Sequence, residues 1–290
     1  MSKKFAIVTG GNQGMGLTTA AALLKAGYTV TISCRSQEKG LEAVQELSQY
    51  GDVNFLLMDM NNLSSVRAFA AEFAPSTLQL LILNAGIMNT PFALTNDGFE
   101  AQYQVNHLAH FLLTHLLFPK LLASESNARV VALSSRAHMR HPVPIDYIAL
   151  KSASEDTYDG WQAYGRSKLS NILFAKALAK RFPVASSRIS FFAVHPGLVD
   201  TGLLVKGGVN LPTAITPEDG IKCTMYVATS TDVSISNESG EYYHNEVTRF
   251  IRGTPDETSV ITAIALNENE ADKCFEQSME MLGLTEFGIL

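Results

Sequence analysis

The regular alternation of short β-branched runs with longer amphipathic segments constrains this chain more than any other feature. Apolar runs predict strands over residues 5–9, 29–34, 53–58, 78–83, 129–133, 189–194 and 240–243. Helices are predicted over 15–26 (stopped by Gly27), from a Ser36 cap to about Gly51, and around Val66, Phe69, Ala70 and Phe73. Further helices are predicted over 98–122 and 161–181, from the opening Thr216-Pro217-Glu218-Asp219, and over 267–282 before Gly283. Strands that alternate with helices pair in parallel, because each crossover helix covers a face of the sheet. The expectation is an α/β fold over 1–290 as a single domain: a doubly wound parallel sheet of about seven strands flanked by helices. Two stretches, 138–160 and 203–215, fit no element and are expected to be lids or binding loops.

Composition excludes several classes. With 22 Lys and Arg against 28 Asp and Glu, the net charge is −6, so nucleic acid is not expected as a partner. Cys34, Cys223 and Cys274 are too few for a disulfide scaffold and form no CxxC pair, which points to a reducing compartment. No apolar run reaches the roughly 18 residues of a membrane span, and the run at 5–8 is too short for a signal peptide. A soluble, cytoplasmic protein without a transmembrane segment is expected. No GxSxG elbow is present, which argues against an α/β-hydrolase. His107 and His110, and His138 and His141, are three apart but lack carboxylates or thiols at matching spacing. They are read as packing or pocket-mouth residues, and no metal is expected.

Between the first strand and first helix runs Thr9-Gly10-Gly11-Asn12-Gln13-Gly14-Met15-Gly16. Glycines there let the backbone approach a pyrophosphate, which the helix N-terminus then holds. Gly10, Asn12, Gln13, Gly14, Met15 and Gly16 are therefore candidate cofactor contacts. Gly11 to Thr18 imitates a P-loop, but Leu17 stands where the lysine must be. The second strand ends in Ser33-Cys34-Arg35-Ser36, with no acid to hold a ribose 2′-hydroxyl, whereas Arg35 can pair with a 2′-phosphate. Arg35, with Ser36 beside it, favours NADP(H) over NAD(H).

Tyr164 and Lys168 are four residues apart at the start of a predicted helix and share a face. A nearby ammonium would lower the pKa of a phenol, ordinarily near 10. By itself such a pair is a common surface feature.

Together with other pieces it resembles the short-chain dehydrogenase/reductase family. Those pieces are Thr9-Gly10-x3-Gly14-x-Gly16, Asp59, Asn84-Ala85-Gly86, Asn106, Ser134-Ser135, Tyr164-x3-Lys168 and His195-Pro196-Gly197-x3-Thr201, in family order. Asn106 to Phe111, Tyr164 to Asn171, Ser239 to Tyr243 and the long spacing from Ser135 to Tyr164 are similar to its retinol dehydrogenase and WW-domain oxidoreductase branch.

The resemblance implies a Rossmann-type fold with strand order 3-2-1-4-5-6-7, the cofactor part within about 1–200 and a substrate loop and C-terminal part within 201–290. It implies a catalytic set of Asn106, Ser135, Tyr164 and Lys168. Tyr164 would exchange a proton with the substrate oxygen and Ser135 would hydrogen-bond that oxygen, while Ser134 would be structural. Lys168 would lower the Tyr164 pKa and bind the nicotinamide ribose; Asn106 would hold a relay water. Asp59 and Met60 would flank adenine; Asn84, Ala85 and Gly86 would line the groove; Pro196, Gly197, Val199 and Thr201 would fix the nicotinamide end. The chain departs from the family at Ala132, where asparagine is frequent, and at Gln13, where NADP-preferring members often carry a basic residue.

The implied function is an NADPH-dependent carbonyl reductase, working in reverse as an alcohol dehydrogenase. A cofactor-binding regulatory protein without turnover and a reductase of a conjugated C=C bond are the alternatives. A hydrophobic, bulky carbonyl or alcohol substrate is expected, because the two irregular segments supply Met139, Val143, Pro144, Ile145, Tyr147, Ile148, Leu203, Leu204, Val205, Val209 and Leu211, with Tyr242 and Tyr243 nearby. Apolar stripes on the helices at 98–122 and 161–181 suggest pairing into a homodimer or homotetramer.

Overall fold

Ala6, Ile7 and Val8 are wholly buried, so the strand that carries them, β1 (Lys4–Thr9), must lie inside the sheet. The computed structural model describes residues 3–147, Leu150, 154–209, 212–232, 234–246, 249–252 and 261–288. The other strands are β2 (Tyr28–Cys34), β3 (Val53–Leu57), β4 (Leu80–Leu83), β5 (Ala128–Leu133), β6 (Ile189–His195), β7 (Tyr242–Glu246) and β8 (Arg249–Arg252). They form one sheet in the order β3-β2-β1-β4-β5-β6-β7-β8. The first seven are parallel, in the expected order, and β8 pairs antiparallel with β7. The eighth strand was not expected. Arg249-Phe250-Ile251-Arg252 is short and flanked by charge, so its apolar pair carries no strand signal of its own.

The longer helices are α1 (Gly14–Lys25), α2 (Gln37–Leu47), α3 (Leu63–Glu72), α4 (Ala109–Leu122), α5 (Gly160–Arg181), α6 (Lys222–Thr229) and α7 (Glu268–Met281). Val66, Phe69, Phe111, Leu117, Leu173, Phe174 and Cys274 put α3, α4, α5 and α7 in the core on one face of the sheet. Leu23, Leu24, Ala43, Leu47, Cys223 and Val227 put α1, α2 and α6 on the other. This is the doubly wound Rossmann arrangement. Strand order reverses between β1 and β4, so ligand is held outside the C-terminal ends of these strands.

The helix expected over 98–122 is broken. A short helix, Ala101–Tyr103, passes into a π-helical turn, Gln104–Leu108, before α4 begins. Glu100 caps the start, accepting from the Gln102 and Tyr103 N–H groups. Within the π turn, the Asn106 side chain grips the loop after β4, accepting from Ile87 N at 2.8 Å and donating to Ile87 O at 2.9 Å. Single π turns mark functional positions in many folds.

The irregular reading of 203–215 also needs correction. It begins inside a helix, Gly202–Lys206, and the segment is closed at its base by a parallel bridge between Val199 and Ile215. Asn89 Nδ2 donates to the Gly207 carbonyl at 3.1 Å, tying the segment to the loop after β4.

The apolar stripes that suggested pairing between copies are covered within the chain. On α4, Phe111, Leu112, Leu113, Leu117 and Phe118 are buried. Beyond α7, Phe287 sits 5.2 Å from Phe111, 5.3 Å from Phe118 and 5.3 Å from Phe275, ring centre to ring centre. Arg181 and Lys180 fasten α5 to Asp272 on α7.

Candidate active site

Ser135 ends the segment after β5 and heads a 3₁₀ turn, Arg136–Arg140, with its hydroxyl oxygen accepting from Ala137 N at 3.1 Å. The same hydroxyl is near enough to the phenol of Tyr164, on the first turns of α5, to favour its ionised form. Lys168 lies one turn further along α5, its Nζ donating to the Leu133 carbonyl at 3.0 Å. Tyr164 and Lys168 are 5% and 4% exposed, so both polar groups are largely stripped of water.

Burial dominates the electrostatics of this pair. Burial pushes the Tyr164 phenol up to about 12, and the Ser135 hydrogen bond opposes that rise. Burial also pulls the Lys168 ammonium down to about 8. Ser135 favours the phenolate, and Lys168 Nζ lies 5.6 Å from the ring centre of Tyr164 while donating to Leu133. Desolvation disfavours both charged forms and outweighs attraction at that separation. A protonated phenol beside a hydroxyl is equipped to give a proton to an oxygen.

Asn106 is wholly buried and heavily engaged. Besides gripping Ile87, its Nδ2 donates to Ser167 Oγ at 2.9 Å. Its main-chain carbonyl accepts from Asn171 Nδ2 at 3.0 Å and from His110 Nδ1 at 3.1 Å. Ser134 is structural in its contacts: its hydroxyl donates to the Lys168 carbonyl at 2.7 Å.

The cofactor candidates ring the same edge. Gly10 holds φ +64°, and a Cβ on Gly16 would collide with the Gly10 carbonyl, so the tight turn requires glycine at both. Asn12 is half-buried, and the exposed Gln13 is the N-cap of α1 without a side-chain cap bond. The N–H groups of the first turn, Met15 included, thus lack a side-chain acceptor and suit a phosphate. Asn84 Nδ2 donates to the Thr9 carbonyl at 2.8 Å, and Ala85 packs against Gly10. Gly86 is close enough that a Cβ would lie 3.0 Å from Asn106 Oδ1 and 3.6 Å from Lys168 Nζ.

Across the cleft, Gly197 holds φ +90°, and the Pro196 carbonyl accepts from Asn245 Nδ2 at 3.1 Å. Thr201 stands over Gly14, its methyl 3.4 Å from where a Gly14 Cβ would be. Arg35 is exposed at the tip of β2, while Ser36 spends its hydroxyl oxygen on capping α2. Asp59 Oδ1 accepts from Asn61 N at 3.0 Å.

Met60 is buried in the core and Val199 packs its side chain on Gly220. Around the substrate side, Met139 is half-buried, Pro144 exposed and Ile145 buried, whereas Val143 and Val205 are 53% and 72% exposed. Leu203, Leu204, Val209 and Tyr147 are half-buried; Ile148 and Leu211 lie outside the described residues. Tyr242 is buried under His138, at 5.3 Å between rings. Tyr243 points to the opposite face, against Phe192 and Glu238, and leaves the expected pocket. Adjacent strand residues must face opposite ways.

Sequence reading missed Asn171 and His110, whose donors hold Asn106, and His138, which backs Ser135. The i, i+4 spacing of Asn106 and His110 was the available signal.

This fold and this cluster define the class. A model of the short chain dehydrogenase family matches residues 4–208, and the chain belongs to that family. It is similar to human retinol dehydrogenase 14, with 34% identity over 98% of this chain and 88% of that protein. Mouse retinol dehydrogenase 11 is 40% identical over 78% of this chain and 73% of its own length. Among solved structures, a Mycobacterium paratuberculosis protein matches with TM-score 0.80 and 32% identity, covering 99% of this chain and 96% of that one. The Pseudomonas aeruginosa RhlG/NADP complex shares the fold, with TM-score 0.67 and 24% identity over 86% of this chain and 96% of that one. The chain is thus an oxidoreductase of the retinol dehydrogenase-like branch of a family that uses NAD(P)(H).

Proposed function

We propose that this protein is an NADPH-dependent reductase of hydrophobic ketones or aldehydes, running in reverse as an alcohol dehydrogenase, within a single domain. The observation that carries the reading is the buried Tyr164 phenol, beside Ser135 and one helical turn from the equally buried Lys168, at the strand edge that faces the Gly-rich turn. Bound there, a nicotinamide cofactor supplies the hydride. Ser135 hydrogen-bonds the carbonyl oxygen and steadies the charge that grows on it. Tyr164 gives that oxygen its proton, closing the balance of one hydride and one proton per alcohol formed. Lys168, with donors to spare beyond Leu133, holds the ribose and recharges the phenol.

Arg35 supports NADP(H): its exposed guanidinium sits where an acid would select NAD(H). The retinol dehydrogenases it resembles are named for an apolar alcohol, which supports a lipophilic substrate. The test is loss of NADPH absorbance with aromatic ketones, steroids and retinoids beside sugars and 2-oxo acids. Turnover of the lipophilic set is expected; preference for the polar set, or no turnover with either, contradicts the reading.

A further inference from the structure

His138 lies directly behind Ser135, and the chemistry above gives it no task. Its main-chain N–H donates to the Ser135 carbonyl at 3.0 Å, and its ring Nδ1 lies 2.7 Å from the same oxygen. A carbonyl only accepts, so Nδ1 carries the ring proton and Nε2 is left with a lone pair. That Nε2 is buried without a hydrogen-bond partner among the described residues, as is the hydroxyl of neighbouring Tyr242. A leucine or phenylalanine would fill the space without leaving an orphaned acceptor. Packing therefore does not account for a histidine at this position; the Nδ1–H bond does.

The turn that His138 steadies is bolted to the helix bearing Tyr164. A Cβ on Gly165 would lie 2.5 Å from the Ala137 carbonyl, and the Arg140 guanidinium lies 4.7 Å from the centre of the Trp161 ring. Ser135 thus has its hydroxyl fixed by Ala137 and its carbonyl fixed twice by His138, on a platform that touches α5 on either side of Tyr164.

We propose that His138 is a positioning residue: through its Nδ1–H bond to the Ser135 carbonyl it holds the Ser135 hydroxyl beside the Tyr164 phenol. This rests on Ser135 and Tyr164 being the reacting pair. The groups around the imidazole are His195, His244, Tyr242, Arg136 and, beyond Ser135, Tyr164 and Lys168. Burial pulls His138 down to about 4, with His244 adding to the effect. The ring is neutral near pH 7, and its proton stays on Nδ1.

Alcohol oxidation with NADP+ needs the phenolate, and the Ser135 bond favours it. His138→Leu should therefore lower kcat by roughly tenfold or more and move the acidic limb of the pH profile upward by about one unit. The KM for NADP+ should stay within about twofold, with the melting transition retained. His138→Asn, which keeps a donor near the Nδ1 position, should restore both kcat and the limb. An unmoved limb in folded His138→Leu, or no rescue in folded His138→Asn, overturns the proposal.

Should either variant fail to fold, long-range ¹⁵N–¹H NMR on the unmutated protein decides. The Nδ1–H tautomer is expected from pH 5.5 to 8; an Nε2–H tautomer overturns the proposal. Absence of turnover in the unmutated protein would instead count against the oxidoreductase reading, and the NMR result is independent of it.

Discussion

The Thr9 hydroxyl donates to His110 Nε2 across 2.9 Å, and the direction of that bond is forced. Thr9 Oγ1 already accepts from Asn84 N at 2.8 Å and Ala85 N at 2.9 Å, so only its own proton remains to give. His110 must then carry its ring proton on Nδ1, which donates to the Asn106 carbonyl. One directed line of hydrogen bonds joins the Gly-rich turn, the loop after β4 and the π turn. These three segments frame the cofactor side of the cleft.

This arrangement makes stability depend on pH. Burial pulls His110 down to about 3 and His107 and His138 down to about 4. The unfolded chain binds protons near pH 6.5 that the folded chain refuses, so stability is full above that pH and falls as pH drops toward the folded values. Each histidine contributes a slope of up to about 1.4 kcal/mol per pH unit in that window. Urea unfolding should show a steep loss between pH 6.5 and 4.5. A flat stability over that interval would contradict buried neutral imidazoles.

Arg35 should set cofactor choice. A charge-assisted bond to a 2′-phosphate is worth about 1.5–3 kcal/mol, which is roughly 10- to 100-fold in dissociation constant. Arg35→Asp should reverse the preference by adding repulsion toward the phosphate and an acceptor for a ribose hydroxyl. Fluorescence titration with NADPH and NADH measures it. Equal affinities in the unmutated protein would argue against the assignment.

Phe287 closes the outer face of α4, α5 and α7. Phe287→Ala should cost about 2 kcal/mol in unfolding free energy, in line with a partly buried aromatic side chain. A change under about 0.5 kcal/mol would show that the tail does not hold this face closed.

Much of the fold was legible because its signals are local. Most of the parallel strands are short apolar runs, and Gly27, Ser36 and Thr216 mark helix ends where the structure puts them. Ser135, Tyr164 and Lys168 were readable from spacing and resemblance, and they converge. The rest depends on contacts remote in sequence. The π turn exists where Asn106 grips Ile87, and the fate of the helix stripes was decided by Phe287, more than 160 residues beyond Phe118. The sign of the Tyr164 shift depends on how deeply it is buried, and pairwise spacing says nothing about burial.

The most direct test is Tyr164→Phe. The substitution removes one hydroxyl, keeps the ring against Trp161, and leaves the Gly-rich turn and Lys168 untouched. NADPH affinity should stay within about threefold while turnover of the best lipophilic carbonyl falls by at least about 100-fold, as loss of the proton donor requires. Retained turnover at normal NADPH affinity would contradict the account, because the proton would then have to come from another group.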